Sequence, residues 1–145
     1  MPIQIGTATV EYTPDGCVTR YADGTSYGAL PHNTSDYDLI AKRLGYLKGV
    51  WRGAAPERIR AETRMAYCRE HECAHHMVSE WIMGRPSQVL WPLAHGYEPD
   101  PADAVQEEAL AMTFQRWLRA NERPIIGGVD WDALKARALA LLDAV

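Results

Sequence analysis

The chain has 145 residues, 47% of them hydrophobic, and a formal net charge of −4. That length supplies one hydrophobic core and not two, so we expect a single domain over residues 1–145. The acidic balance and the scattered lysines and arginines argue against nucleic acid as a partner. No run approaches the roughly 18 apolar residues that a membrane span requires, so we expect no membrane partner either.

Cysteine usage and the start of the chain indicate the compartment. Met1–Gln4 has neither the basic nor the apolar region of a secretion signal. Cys17, Cys68 and Cys73 are odd in number and lack framework spacing, which favours reduced thiols over disulfides. We therefore expect a soluble, cytoplasmic protein, whose oligomeric state the sequence leaves open.

The beginning of the chain has the pattern of β-strands. Stretches rich in valine, threonine and tyrosine are separated by Asp-Gly turns at residues 15–16 and 23–24. This pattern predicts an antiparallel hairpin or meander of two or three strands. A short helix is expected to follow, capped by Thr34 or Ser35 and ending at Gly45.

The rest of the chain predicts helices. Pro56 suits the first position of a helix that would run to Met83, where glycine and proline follow. Apolar residues at helical spacing predict another helix from Asp103 to about Asn121, and Asp130 can cap a last one. The expected fold class is α+β and mostly helical, with an N-terminal antiparallel β-hairpin or meander followed by four to five helices.

The first long helix contains the pattern H-E-x-x-H at residues 71–75. Helical spacing places His71 and His75 one turn apart on one face, where both imidazoles can bind the same zinc ion. Glu72 would then lie beside the ion and accept a proton from the attacking water. In the alternative interpretation the two inward-facing histidines are structural, and each donates to a backbone carbonyl or to a carboxylate such as Glu70.

This motif resembles that of the zincin metallopeptidases, in particular the small gluzincins that include phage-type antirepressor peptidases. The overall pattern is also similar to that of uncharacterised phage and proteobacterial proteins. The resemblance implies a small sheet before the active helix and zinc as cofactor. It also implies that His71 and His75 are zinc ligands, that Glu72 is the general base, and that a peptide or a small molecule is the substrate.

In gluzincins a downstream glutamate completes the metal site. Residues 108–114 are similar to the family's E-x-x-A-x-x-F segment, which makes Glu108 the expected third ligand. Glu107 and His95 are the alternatives. Acids near the start of a helix also interact favourably with its dipole, so both glutamates have an ordinary structural explanation as well.

A second hydrolase class uses the same helix. HD-type nucleotide phosphohydrolases bind a divalent ion through an H…HD…D pattern. In this chain His32, the His71-Glu72 pair and Asp103 would have to supply it. Glu72 stands where that family has aspartate.

Two further interpretations need no catalysis. Cys68, His71 and His75 have spacings that suit a structural zinc site, with Cys17 or His95 as a fourth ligand. Alternatively, the protein is a non-enzymatic, phage-type interaction protein with structural histidines. If it is a peptidase, an edge strand of the small sheet could hold an extended peptide.

Overall fold

The computed structural model describes residues 2–13, 16–29 and 56–143. The short helix expected between Thr34 and Gly45 lies outside these residues, as does His32. Within the described ranges the expected fold class is confirmed: an antiparallel sheet comes first and helices follow.

The sheet is a meander of four strands in the order β1-β2-β3-β4, all neighbours antiparallel. The strands are β1 (Ile3–Ile5), β2 (Ala8–Thr13), β3 (Gly16–Tyr21) and β4 (Ser26–Ala29). The sequence indicated two or three strands, and β1 is the one it missed. Ile3 and Ile5 alternate with an exposed Gln4 and face the core, and Ile3 pairs with Val10 of β2.

The described helices are α1 (Pro56–Trp81), α2 (Leu90–Ala94), α3 (Pro101–Ala120) and α4 (Trp131–Asp143). Helix α1 ends two residues before the predicted Met83. Helix α3 begins before the predicted Asp103, because the Asp100 carboxylate accepts hydrogen bonds from the amides of Ala102 and Asp103 and caps the helix. None of these helices is both long and apolar enough to cross a lipid bilayer.

Helix α1 packs between the sheet and α3. Met77 and Val78 of α1 join Ile5 and Val10 of the sheet and Phe114 of α3 in one buried core. The helix therefore presents one face to strands and another to a second helix. Polar residues on either face are removed from water and need partners inside the protein.

Strand β3 runs along α1. The Cys17 thiol at its start hydrogen-bonds to Cys68, and the Thr19 hydroxyl lies 3.1 Å from Nε2 of His76, two turns further along the helix. Strand β4 is the next strand beyond β3. Helix α1 contacts β2 and β3 equally and β1 less, whereas β4 contacts α2.

Candidate metal centre

Two histidines of α1 and one glutamate of α3 converge on one point. The Nε2 atoms of His71 and His75 are 3.3 Å apart. One Glu108 oxygen lies 2.7 Å from Nε2 of His75, and the other lies 3.4 Å from Nε2 of His71. In the part of the chain that the structure describes, this is the one group of three or more potential ligand side chains close enough together to hold a metal ion.

These separations suit a divalent metal ion. Tetrahedral zinc with bonds of about 2.0–2.2 Å to nitrogen and oxygen places neighbouring ligand atoms about 3.3 Å apart. The two distances that involve His71 are close to this value, and the distance from His75 to Glu108 is that of a hydrogen bond. The Glu108 side chain is 49% exposed while both histidines are buried, so an ion can reach the group from the side of Glu108.

A second polar group orients each imidazole. Nδ1 of His71 lies 2.5 Å from the amide oxygen of Gln115, and Nδ1 of His75 lies 2.7 Å from a carboxylate oxygen of Glu107. Amide and carboxylate oxygens only accept hydrogen bonds, so Nδ1 donates in both rings. In a neutral ring that donates from Nδ1 the lone pair is on Nε2, so both Nε2 atoms can offer lone pairs to the space they share with Glu108. Two nitrogen lone pairs and a carboxylate this close together require a metal ion or a bound proton between them.

Glu107 is completely buried and accepts four hydrogen bonds. One oxygen accepts from His75 Nδ1 and from the Ser87 hydroxyl, at 2.7 and 2.6 Å. The other accepts from the Ser79 hydroxyl and from the Gln88 backbone amide, at 2.7 and 2.6 Å. A carboxylate has about four lone-pair sites, so Glu107 has none left for a metal ion. One of its four hydrogen bonds is to His75.

Glu72, the expected general base, lies next to His71 in sequence and is only 5% exposed. Burial raises the pKa of its carboxyl above the ordinary value, and the neighbouring His75 and His71 act in the opposite direction. A carboxylate whose pKa is raised toward neutrality is a stronger base and accepts a proton from water more readily. The position and the environment of Glu72 therefore suit proton transfer.

His75 lies between two carboxylates. Burial by itself would lower its pKa, but the hydrogen bonds to Glu107 and Glu108 outweigh burial and raise it to about 9. The hydrogen bonds from His71 and His75 hold the pKa of Glu108 well below its usual range. Without a metal ion, His75 would be an imidazolium held between two acids at neutral pH. The same contacts would therefore also suit histidines that are purely structural and bind no metal ion.

His95 does not join the two histidines. Its Nε2 lies 2.6 Å from the Asp23 carboxylate, its Nδ1 lies 2.8 Å from the Trp91 carbonyl, and its ring stacks on the Trp91 indole. The residue therefore connects α2 to the turn between β3 and β4. It is not the third ligand that the sequence allowed it to be.

The other predicted ligands are also elsewhere. Cys17 and Cys68 contact each other and are buried, but their thiols are not part of the group formed by the two histidines and Glu108. Asp103, which the phosphohydrolase interpretation requires, forms an ion pair of 3.6 Å with Arg85. Neither the two cysteines nor Asp103 thus joins the two histidines, and His32, which the phosphohydrolase interpretation also requires, lies outside the described residues.

Sequence reasoning missed three residues of this centre: Gln115, Ser79 and Ser87. A signal for Gln115 was present, because it lies on the stripe of α3 that carries Ala111, Phe114 and Leu118, all buried. A polar residue on an otherwise apolar helix face needs a buried partner. The two serines gave no comparable signal, because serine is common at helix ends and on helix surfaces.

Comparisons of the chain with protein-family models, with curated proteins and with solved structures find no match.

Proposed function

We propose that this protein is a zinc-dependent hydrolase that cleaves peptides. One observation carries the proposal: the Nε2 atoms of His71 and His75 converge with Glu108 while both Nδ1 atoms donate to buried acceptors. This is the way in which proteins usually orient histidines that bind metal ions. Helices α1 and α3 together supply the three ligands.

The residues of the chain divide the chemistry between them. Zinc held by His71, His75 and Glu108 would polarise a carbonyl group and acidify water. Glu72 would accept a proton from the attacking water and pass it to the leaving amine. Its burial favours this exchange, because a neutral carboxyl group is then less costly relative to the charged form.

The position of the sheet supports a peptide as the substrate. The hydrogen bond to Cys68 and burial raise the pKa of the Cys17 thiol on β3, and the Glu72 carboxylate adds to them, so Glu72 lies near this strand. Strand β4 lies beyond β3, and among the described strands it pairs only with β3. An extended peptide could add to such an edge through main-chain hydrogen bonds and pass near Glu72.

The test is hydrolysis of a fluorogenic peptide library by zinc-loaded protein. We expect Glu72→Gln to lose about 10²–10⁴-fold in rate, the usual contribution of a general base, while it retains zinc. Glu122→Gln changes an exposed glutamate just after α3 and should keep the wild-type rate. Wild-type activity in Glu72→Gln would refute the role of Glu72. Cleavage of phosphate esters but not of peptides would favour the phosphohydrolase alternative.

A second candidate function has its own supporting observation. His75 is hydrogen-bonded to both Glu107 and Glu108, and an imidazolium would satisfy both acids without a metal ion. In that case the cluster joins α1 to α3 in a non-enzymatic interaction protein. The candidate predicts that the purified protein contains no metal and that a chelator does not change its stability.

A further inference from the structure

The carboxylate of Glu107, on α3, hydrogen-bonds to two other parts of the chain. His75 and Ser79 belong to α1, and Ser87 and Gln88 belong to the segment before α2. All four donors lie within 2.6–2.7 Å of its two oxygens. Side chains held in this way by several short hydrogen bonds have little freedom to rotate.

We propose that Glu107 is a positioning residue for metal binding: Ser79, Ser87 and the Gln88 amide fix its carboxylate, and the carboxylate fixes the ring orientation and tautomer of His75. This inference rests on the proposed function, because it concerns the same metal centre. It assigns to Glu107 a role that differs from the direct ligation expected of Glu108. Both oxygens of Glu107 are fully occupied, whereas the Glu108 side chain is half exposed and lies on the Nε2 side of both histidines.

The consequence of removing the charge follows from the donors around it. A glutamine at position 107 has one oxygen and one NH2 group. If the oxygen faces His75, the NH2 group faces the Gln88 amide, which loses its acceptor. If the NH2 group faces His75, Nδ1 of that ring must accept, the proton moves to Nε2, and Nε2 can no longer bind a metal ion. Neither orientation reproduces the wild-type site.

The experiment measures zinc affinity of the full chain by competition with a chromogenic chelator. We expect Glu107→Gln to bind zinc about 10–100-fold more weakly than the wild type, as is usual when the partner of a metal-binding histidine is lost. Glu122→Gln is the matched control and should bind zinc like the wild type, because Glu122 is exposed and lies outside the centre. Affinity of Glu107→Gln within twofold of wild type would overturn the proposal.

A second variant decides the matter if Glu107→Gln does not fold. Ser79→Ala removes one donor to Glu107 and does not touch a metal ligand directly, since Ser79 is hydrogen-bonded to Glu107 and not to His75. We expect about fivefold weaker zinc binding, the effect of one hydrogen bond. A purely structural role would lower the melting temperature of this variant and leave its zinc affinity unchanged, which would overturn the proposal.

The histidine tautomer supplies a spectroscopic readout. In zinc-loaded protein, long-range ¹H–¹⁵N spectra should show the His75 proton on Nδ1 in the wild type and a shifted Nδ1 proton resonance in Ser79→Ala. An identical resonance in both would count against the proposal. Wild-type protein that binds no divalent ion would refute the proposed function and this inference together, whereas zinc binding that is insensitive to both variants would refute only this inference.

Discussion

At the scale of single residues, His95 and Asp23 form an ion pair away from the candidate metal centre. Their atoms Nε2 and Oδ2 are 2.6 Å apart. Hydrogen bonds from Thr25 and then from His95 lower the pKa of Asp23 to about 2. The hydrogen bond to Asp23, followed by the one to the Trp91 carbonyl, raises the pKa of His95 above its ordinary value.

The pair gives a pH prediction with a definite sign. Because the pKa of His95 is raised in the folded protein, the protonated imidazole stabilises the fold fully at pH values below the pKa that His95 has in the unfolded chain. That contribution is lost as pH rises through the folded value. The lowered pKa of Asp23 means that its contribution is present above the unfolded value, and it is lost as pH falls through about 2.

We expect an NMR titration of the His95 ring to give a midpoint above the ordinary histidine value of about 6.5. In Asp23→Asn the midpoint should move down, because the hydrogen bond to a carboxylate is the largest cause of the shift. Asp132→Asn, which changes an exposed aspartate of α4, is the matched control and should leave the midpoint in place. An unshifted midpoint in Asp23→Asn would show that the ion pair is not formed in solution.

At the scale of elements, the turn between β1 and β2 packs closely on α1. Gly6 has a φ of +57°, and a methyl group built on it would overlap the carboxylate of Glu80. Gly24 has a φ of +88°, but a methyl group there would meet no atom within 4 Å. Comparing alanine substitutions at the two positions therefore distinguishes the free-energy cost of the backbone conformation from the cost of close packing.

We expect Gly24→Ala to lower the free energy of unfolding by about 1–2 kcal/mol, the penalty of a left-handed conformation. Gly6→Ala should carry a similar backbone cost and a small further cost for displacing the flexible end of Glu80, and adding Glu80→Ala should remove that small excess. Urea unfolding of Gly24→Ala, Gly6→Ala, Glu80→Ala and the Gly6→Ala/Glu80→Ala double variant measures these costs. A Gly6→Ala variant as stable as the wild type would mean that Gly6 does not adopt the left-handed conformation described here.

The elements also show how far the sequence could predict the molecule. Pro56 and the glycine and proline after Met83 bracketed α1 to within two residues, and local spacing alone placed His71 and His75 on one face. The three-residue strand β1 was missed because it is too short to show alternation and depends on pairing with β2.

The surroundings of the histidines could not be predicted in the same way. Gln115 and Glu107 reach them only because α3 packs against α1 in one particular register, and that register follows from the buried core as a whole. Glu108 could be chosen as the expected ligand only because residues 108–114 resemble a gluzincin segment. The local sequence by itself does not distinguish Glu108 from Glu107.

At the scale of the whole molecule, the proposed metal ion would join two helices that are far apart in sequence. His71 and His75 come from α1 and Glu108 comes from α3, so the complete site exists only in the folded chain. A ligand that binds only the folded state stabilises it by mass action, by about 2.7 kcal/mol at 100 times its Kd. Zinc should therefore act on global stability as well as on chemistry.

We expect zinc to raise the melting temperature of chelator-treated wild-type protein by several degrees, which a domain of this size shows for about 2–3 kcal/mol. His71→Ala should lose this increase because it loses a ligand. His95→Ala should retain the increase, because His95 lies at the turn between β3 and β4. A zinc-dependent increase that survives in His71→Ala would place the ion elsewhere.

The most direct test of the account is the metal content of protein purified without a metal-affinity tag, measured by elemental analysis. We predict about one zinc ion per chain in the wild type, in Glu72→Gln and in His95→Ala, and a loss of zinc in His71→Ala and Glu108→Ala. Wild-type protein that folds without metal and takes up none from solution would contradict the account. His75 would then be an imidazolium between Glu107 and Glu108, and the cluster would be a structural joint between the two helices.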